Sequence, residues 1–376
     1  MERSPMTLSY QPFLSECRRE LHRIPELPYK EYKTQRYIAS VLEELGVEWK
    51  PVAQTGIQAV IRSEGAKETL AFRADMDGLA VLEPAGKPFC SAHEGYMHAC
   101  GHDGHMATLL GLAKMCAEHR DKLAYHVVFL FQPAEEGCGG AKNMVSEGVL
   151  QDPPVDRVYG FHLWPGIPVG KVGCKAGPIM AHTSEFVITL LGESAHGAMP
   201  HLGIDAVMAA ARVIHNLQGI VTRNVDPFEK ALISIGKVSA GSAANIIAEK
   251  AVLEGILRTF NDEVSQRIQQ RIQEVLRGER VGFGMEASIR YLVEYPAVVN
   301  PEELVNGLYE LVGPDSFVWV QEQMTAEDFS FFQKAVPGLY FFLGAGEGAP
   351  LHSEAFDFDE TALGVGLEVY RRILEL

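Results

Sequence analysis

The segment His98-Ala99-Cys100-Gly101-His102-Asp103-Gly104-His105 puts three histidines, a cysteine and an aspartate within eight residues. Singly each is ordinary; a lone cysteine is most often a small core residue. Together they offer neutral imidazole and thiolate, good ligands for a borderline divalent ion such as zinc. Gly101 and Gly104 allow a tight turn, and a helical pattern follows. A second group, Phe131-Gln132-Pro133-Ala134-Glu135-Glu136-Gly137, directly follows an apolar run from Tyr125. Adjacent carboxylates at the end of a buried strand can divide the work. One binds metal; the other takes a proton from water and passes it to a leaving nitrogen. In a third group, Arg73-Ala74-Asp75-Met76-Asp77-Gly78, Asp75 and Asp77 point the same way if the strand continues. Buried carboxylates near a metal commonly orient its histidines. His162, His196 and His352 lie in separate short motifs, and each alone reads as readily as a structural histidine.

The elements that must carry these groups follow from apolar spacing. Helices are predicted over Phe13 to Arg23, Tyr32 to Leu45, Gly104 to Ala117 and Ala141 to Ser146. Strands are predicted over Gln58 to Arg62, Thr69 to Arg73, Tyr125 to Phe131 and Val155 to His162. This alternation predicts an α/β domain whose helices flank a mixed sheet. The pattern changes near residue 180. Strand Glu185 to Leu191, helix Asp205 to Val221, strands Ala231 to Val238 and Lys250 to Thr259, helix Glu263 to Leu276 and strand Met285 to Leu292 follow in turn. That β-α-β-β-α-β order is the ferredoxin-like arrangement of an α+β domain. The α/β pattern then resumes with helices from Glu302, around Asp328 and from Glu360, and a strand from Leu339 to Leu343. The expected organisation is a discontinuous domain, 1–180 with 295–376, interrupted by an inserted domain, 181–294.

Composition narrows the function. At 376 residues the chain exceeds the size at which single cores stop growing, which supports two domains. A net charge of −16 repels phosphate backbones and anionic lipid, so neither nucleic acid nor a membrane surface is an expected partner. No apolar run approaches the ~18 residues of a membrane span. Six cysteines scattered over the chain are no disulfide scaffold and fit a reduced, cytoplasmic setting.

Taken in order, these groups resemble the M20 metallopeptidase family, in its amidohydrolase branch of aminoacylases, hippurate hydrolases and N-acetyldiaminopimelate deacetylases. The resemblance begins at Leu21-His22-Arg23-Ile24-Pro25-Glu26 and takes in the three groups above. It continues through Gly160 to Pro165, Gly192 to His201, Asn245 to Arg258, Thr325 to Phe329 and Leu351 to Phe356. It implies a two-metal catalytic domain and a ferredoxin-like lid that dimerises. By resemblance the metal ligands are Cys100, His102, Glu136, His162 and His352, for two divalent ions (Zn, Mn, Co or Ni). Glu135 is then the general base and acid, His196 the oxyanion partner, and Asn245 and Arg258 the contacts of the substrate carboxylate. Asp75 and Asp77, with His98 and His105, support the ligands. Gly78 departs from the alanine common at its position.

The implied reaction is hydrolysis of an N-acyl amino acid by metal-activated water, releasing a carboxylic acid and a free amino acid. N-acetyl-diaminopimelate is an alternative substrate. A thiol hydrolase using Cys100 as nucleophile leaves Glu135, Glu136 and His352 without a task. A non-catalytic binding protein with a closed metal site leaves Glu135 without one.

Overall fold

The computed structural model describes residue 1 and residues 3–376. They form two compact units. The first is Met1–Ile179 with Val299–Gln321 and Asp328–Leu376; the second is Met180–Val298 with Glu322–Glu327. The expected insertion, 181–294, lacked the 322–327 segment and the last residues before Val299.

The first unit is built on an eight-stranded mixed sheet. Its order is Glu48–Val52, Gly56–Ile61, His126–Gln132, Thr69–Asp75, Arg157–Pro165, Gly338–Gly346, Val172–Cys174, Phe317–Trp319. The four central strands run parallel to one another. Every residue of Thr69–Asp75 is buried, and so is all of His126–Gln132 except its first residue. That is the pattern of strands covered on both faces, and it explains why they read as continuous apolar runs.

The helix His102–Glu118 is buried along most of its length. Small residues make this possible: a Cβ on Gly111 would lie 2.3 Å from Leu14 Cδ2, and one on Gly104 2.7 Å from Leu163 Cδ1. Leu14 belongs to the first helix, Pro5–His22, which starts eight residues before the predicted Phe13. Ser4 caps it by accepting from the Thr7 amide at 3.1 Å, and proline occupies its first turn. Pro12 lies inside it; the apolar spacing on its N-terminal side was too sparse to mark the start.

The second unit holds a four-stranded antiparallel sheet in the order Ala231–Ala240, Lys250–Thr259, His182–Leu191, Glu286–Tyr295. Helices Ala206–Asn224 and Asp262–Phe283 pack on it around a core that includes Phe186, Ile188, Leu190, Val213, Leu253, Leu257 and Ile268. This is the ferredoxin-like order. Asp205 and Asn261 cap the two helices by side-chain hydrogen bonds. Among the described residues, no helix is long and apolar enough to cross a membrane.

Candidate metal centre

The four parallel strands deliver the site from their carboxyl ends, where open α/β sheets place ligands. Asp75 ends one strand and Asp77 lies two residues beyond it. Glu135 and Glu136 follow Gln132, His162 lies within Arg157–Pro165, and His352 follows Gly338–Gly346. Cys100 and His102 come from the turn that starts the central helix, where Gly101 has φ +86°.

The two nitrogens of His102 have different surroundings. Nδ1 donates to the Asp77 carbonyl at 2.8 Å. Nε2 is buried without a hydrogen bond, and its nearest acidic neighbour is Asp75 Oδ2 at 3.7 Å. His162 repeats the arrangement: Nδ1 donates to Leu163 O at 2.7 Å, and Nε2 lies 3.4 Å from Cys100 Sγ. A ring fixed through Nδ1 directs Nε2 into the site, as metal-binding imidazoles do. Burial lowers the His102 pKa, but Asp75 and Asp77 outweigh it and push it up to about 10, so a bound ion would take the place of the Nε2 proton. His105 is different, because both its nitrogens are used. Nδ1 bonds Asp75 Oδ1 at 2.6 Å and Nε2 accepts from the Leu163 amide at 3.0 Å. His98 is buried, and burial pushes its pKa down to about 3, so it stays neutral.

Cys100 Sγ also lies 3.3 Å from His352 Nε2, which is 3.2 Å from Glu136 Oε1. Two donor groups therefore share the sulfur, Cys100–His102–His162 and Cys100–Glu136–His352, each with its ligand atoms within 4.8 Å of one another. His102 forms a further such group with Glu135 and Glu136. His352 has φ +64°, and its amide donates to Ala99 O at 2.8 Å, which fixes a ligand loop beside Cys100. A non-glycine residue in that region is strained and needs such over-determination.

The electrostatics call for a cation. Burial first, then Glu136 and Glu135, push the Cys100 thiol well up. A nucleophilic cysteine needs an electropositive setting, so this environment is the wrong one for the thiol-hydrolase alternative. A divalent ion would supply the missing positive charge and make the sulfur a thiolate ligand. Burial pushes the His162 pKa well down, which keeps it the neutral ligand form. Buried, unbonded His102 Nε2 and this set of soft and hard donors fit a metal pair.

Asp77 is the bracket of the site. Its Oδ1 and Oδ2 accept from the Glu135 and Glu136 amides at 3.1 and 2.9 Å, while its carbonyl holds His102. Behind it, Arg73 bonds Asp75 at 2.8 Å, Gln132 at 2.7 Å and Asp328 at 3.1 Å, and Gln132 bonds Asp328 in turn. Burial raises the Asp75 carboxyl, but His102, Arg73 and His105 outweigh it and hold the group well below the usual range. The Arg73–Gln132–Asp328 network did not emerge from the sequence as chemistry, although each member sits in a motif already noted. Gly78 also gains a local reason: a Cβ there would lie 2.9 Å from Pro25 Cβ.

The structure thus brings Asp75, Asp77, Cys100, His102, Glu135, Glu136, His162 and His352 together in the first unit. His196, Asn245 and Arg258 belong to the second. There His196 pairs with Ile246 in a two-residue ladder, and the Gly197 amide donates to Asn245 O at 2.7 Å. Arg258 lies in the strand opposite Leu232 and Thr183. Its guanidinium donates to Leu257 O at 3.2 Å and has no ion-pair partner among the described residues.

Comparison with known proteins agrees with this chemistry. Residues 71–376 match the model of peptidase family M20/M25/M40. The chain is 40% identical over 363 residues to the N-acetyldiaminopimelate deacetylase of Halalkalibacterium halodurans, covering 95% of this chain and 97% of that protein. It is likewise 40% identical over 357 residues to the N-acetyldiaminopimelate deacetylase of Bacillus subtilis, covering 94% and 95%. The fold superposes with a TM-score of 0.84 on the Bacillus subtilis YXEP protein, a dinuclear metal binding peptidase from the M20 family. That protein is 33% identical, with 98% of this chain and 99% of that one covered.

Proposed function

The chain belongs to peptidase family M20/M25/M40, and from that premise we propose that it removes the acetyl group from N-acetyl-diaminopimelate, a particular case of N-acyl amino acid hydrolysis. Metal-dependent hydrolysis of a linear amide is its activity. The observation that carries the reading is His102, locked through Nδ1 and unpaired at Nε2 amid thiol and carboxylates.

Cys100, His102, Glu136, His162 and His352 hold two divalent ions, of zinc, manganese, cobalt or nickel. When bound, the pair supplies Lewis acidity for the amide carbonyl and lowers the pKa of water. Glu135 takes the proton from the attacking water and returns it to the departing nitrogen. Asp75 and Asp77 hold the ligands and the Glu135–Glu136 backbone in place. His196 donates to the developing oxyanion. Arg258, with Asn245, takes the free carboxylate of the amino acid, for which a planar guanidinium is suited. We assign catalysis to the first unit, and to the second the role of a lid through which two chains pair. Six free cysteines fit a cytoplasmic setting.

The test is a substrate panel on metal-reconstituted protein: N-acetyl-diaminopimelate, N-acetyl-lysine (which lacks the distal carboxylate), N-acetylglycine and benzoylglycine. The diaminopimelate compound is expected to lead in kcat/KM by about tenfold or more, ~1.4 kcal/mol. A different preferred amino acid would remove that substrate and leave the reaction class. Turnover by protein verified metal-free by elemental analysis would remove the class.

A further inference from the structure

We propose that Glu31 is a positioning residue for the general base, holding through the Ala134 amide the left-handed turn that aims Glu135. The inference rests on Glu135 being the base, as proposed above.

Glu31 stands at the N-cap of helix Tyr32–Glu44, yet its side chain makes no capping bond to that helix. Glu26 does that work from farther back, its Oε2 accepting from the Lys33 and Thr34 amides at 2.7 and 3.0 Å. The Glu31 carboxylate is fully buried and turned elsewhere. Its Oε2 accepts from the Thr55 hydroxyl at 2.5 Å and its Oε1 from the Ala134 amide at 2.9 Å. Burying a carboxylate costs free energy, and nothing in the helix accounts for it.

The turn accounts for it. Ala134 has φ 55° and ψ 46°, a conformation that an alanine rarely adopts. It immediately precedes Glu135, so its peptide sets the direction in which that side chain leaves the backbone. The turn is enclosed on two sides: a Cβ on Gly56 would lie 2.7 Å from Pro133 Cδ, and one on Gly140 1.7 Å from Pro133 O. Three successive amides, of Ala134, Glu135 and Glu136, donate to buried carboxylates, the first to Glu31 and the others to Asp77. Asp77 acts on the metal side as well, because its carbonyl holds His102. The Glu31 carboxylate bonds the turn at Ala134 and, away from it, the Thr55 hydroxyl, and neither is a proposed metal ligand. Burial first, then the Asp77 charge, push its carboxyl up to about 7, so a neutral amide is a close substitute for it.

Glu31→Gln keeps an acceptor opposite Ala134, while Glu31→Asp keeps the charge but withdraws the acceptor by one methylene. Both variants, metal-reconstituted, are compared on an N-acetyl amino acid for kcat, KM and metal content, with amide hydrogen exchange across residues 131–139. We expect Glu31→Asp to lose about 10- to 100-fold in kcat, the scale of a misplaced group, with KM and metal content unchanged and faster exchange in that segment. Glu31→Gln should stay within about threefold of the parent, well inside that loss. Ala134→Gly, added to Glu31→Asp, should recover part of kcat, because glycine takes the left-handed turn unaided; it also keeps the test open if Glu31→Asp alone does not fold. An unchanged kcat in Glu31→Asp, an equal loss in Glu31→Gln, loss of metal, or no recovery with glycine overturns the inference. Glu135→Gln run in parallel separates the two readings. If it retains kcat with metals bound, the base assignment and this inference both fall. If it is inactive while Glu31→Asp is not, only this inference falls.

Discussion

At the scale of single residues, the site is a set of side chains with one atom fixed and another presented. His102 and His162 are fixed through Nδ1, and Glu135 and Glu136 through their amides on Asp77. The adjacent glutamates should therefore fail differently. Glu135→Gln should lower kcat by about 10²–10⁴-fold, the value of general acid–base catalysis, with full metal content by elemental analysis. Glu136→Gln should lose metal first, with activity partly restored by excess ion. Retained kcat in metal-loaded Glu135→Gln would reassign the proton transfer.

Arg258 makes a second distinction. Its guanidinium hydrogen-bonds only the Leu257 carbonyl among the described residues and feels the Glu185 charge without forming an ion pair with it, and a partly buried cation of that kind suits an anionic ligand. Arg258→Ala should raise KM for N-acyl amino acids about 10-fold or more, the scale of a charged hydrogen bond, and spare the matching N-acyl amides. Equal losses on both would reject it as the carboxylate contact. The local donor cluster around Cys100 was legible in the sequence because its chemistry is concentrated in eight residues. Glu31 was not legible. Its partners, Thr55 and Ala134, are 24 and 103 residues away, and a glutamate before a helix reads as an ordinary cap.

At the scale of elements, the central strands and long helices followed from apolar spacing because each satisfies its own periodicity. The three-residue strands Val172–Cys174 and Phe317–Trp319 did not, because pairing with distant strands, not local pattern, makes them extended. The first helix was placed too late for a related reason: tertiary bonds secure its start. The buried Glu368 carboxylate, in the helix Thr361–Ile373, accepts from Ser4 Oγ at 3.0 Å and from Thr7, and pairs with Arg371 and Arg372 at 2.8 Å. Burial alone would raise its pKa, but the bonds from Arg371, Thr7, Arg372 and Ser4 outweigh it and hold the carboxyl well below the usual range. A depressed carboxyl contributes stability that is complete above its unfolded value and is lost as pH falls towards its folded one. Glu368→Gln should thus cost about 1.5–3 kcal/mol near neutral pH. The gap from the parent should narrow progressively below about pH 4.3, the ordinary glutamate value. Thermal unfolding of both proteins in chelator, from pH 7 downwards, measures this; a gap independent of pH would assign the cost to packing instead.

At the scale of the whole molecule, the change of pattern near residue 180 announced an insertion, and its strand order was readable because the ferredoxin-like β-α-β-β-α-β sequence of elements is distinctive. The short Glu322–Glu327 segment joins the second unit; Thr325 to Glu327 belong to a motif already noted, but the segment carries no periodicity, so its place in that unit was unreadable. The proposed pairing of chains has a direct test. Sedimentation should give a dimer. Mixing His196→Ala with Glu135→Gln then asks whether the second unit serves its own chain or a partner. Recovery of up to one working site per mixed dimer would establish service in trans; a verified mixed dimer without activity would exclude it.

The strand Gly338–Gly346 lies between Arg157–Pro165 and Val172–Cys174 in the sheet, although it is made more than 160 residues after the latter. Synthesis therefore leaves a gap in the sheet through the whole time the inserted unit is being made. During that interval the apolar edge of Arg157–Pro165, buried in the finished protein, lacks its neighbour, and such an unpaired edge invites pairing with other chains. His352 emerges later still, so a growing chain has no complete ligand set. Stalled ribosomes carrying residues 1–330 should thus hold a nascent chain that is bound by chaperones and fails to retain metal, and both properties should change together once synthesis passes His352 and that strand has left the exit tunnel.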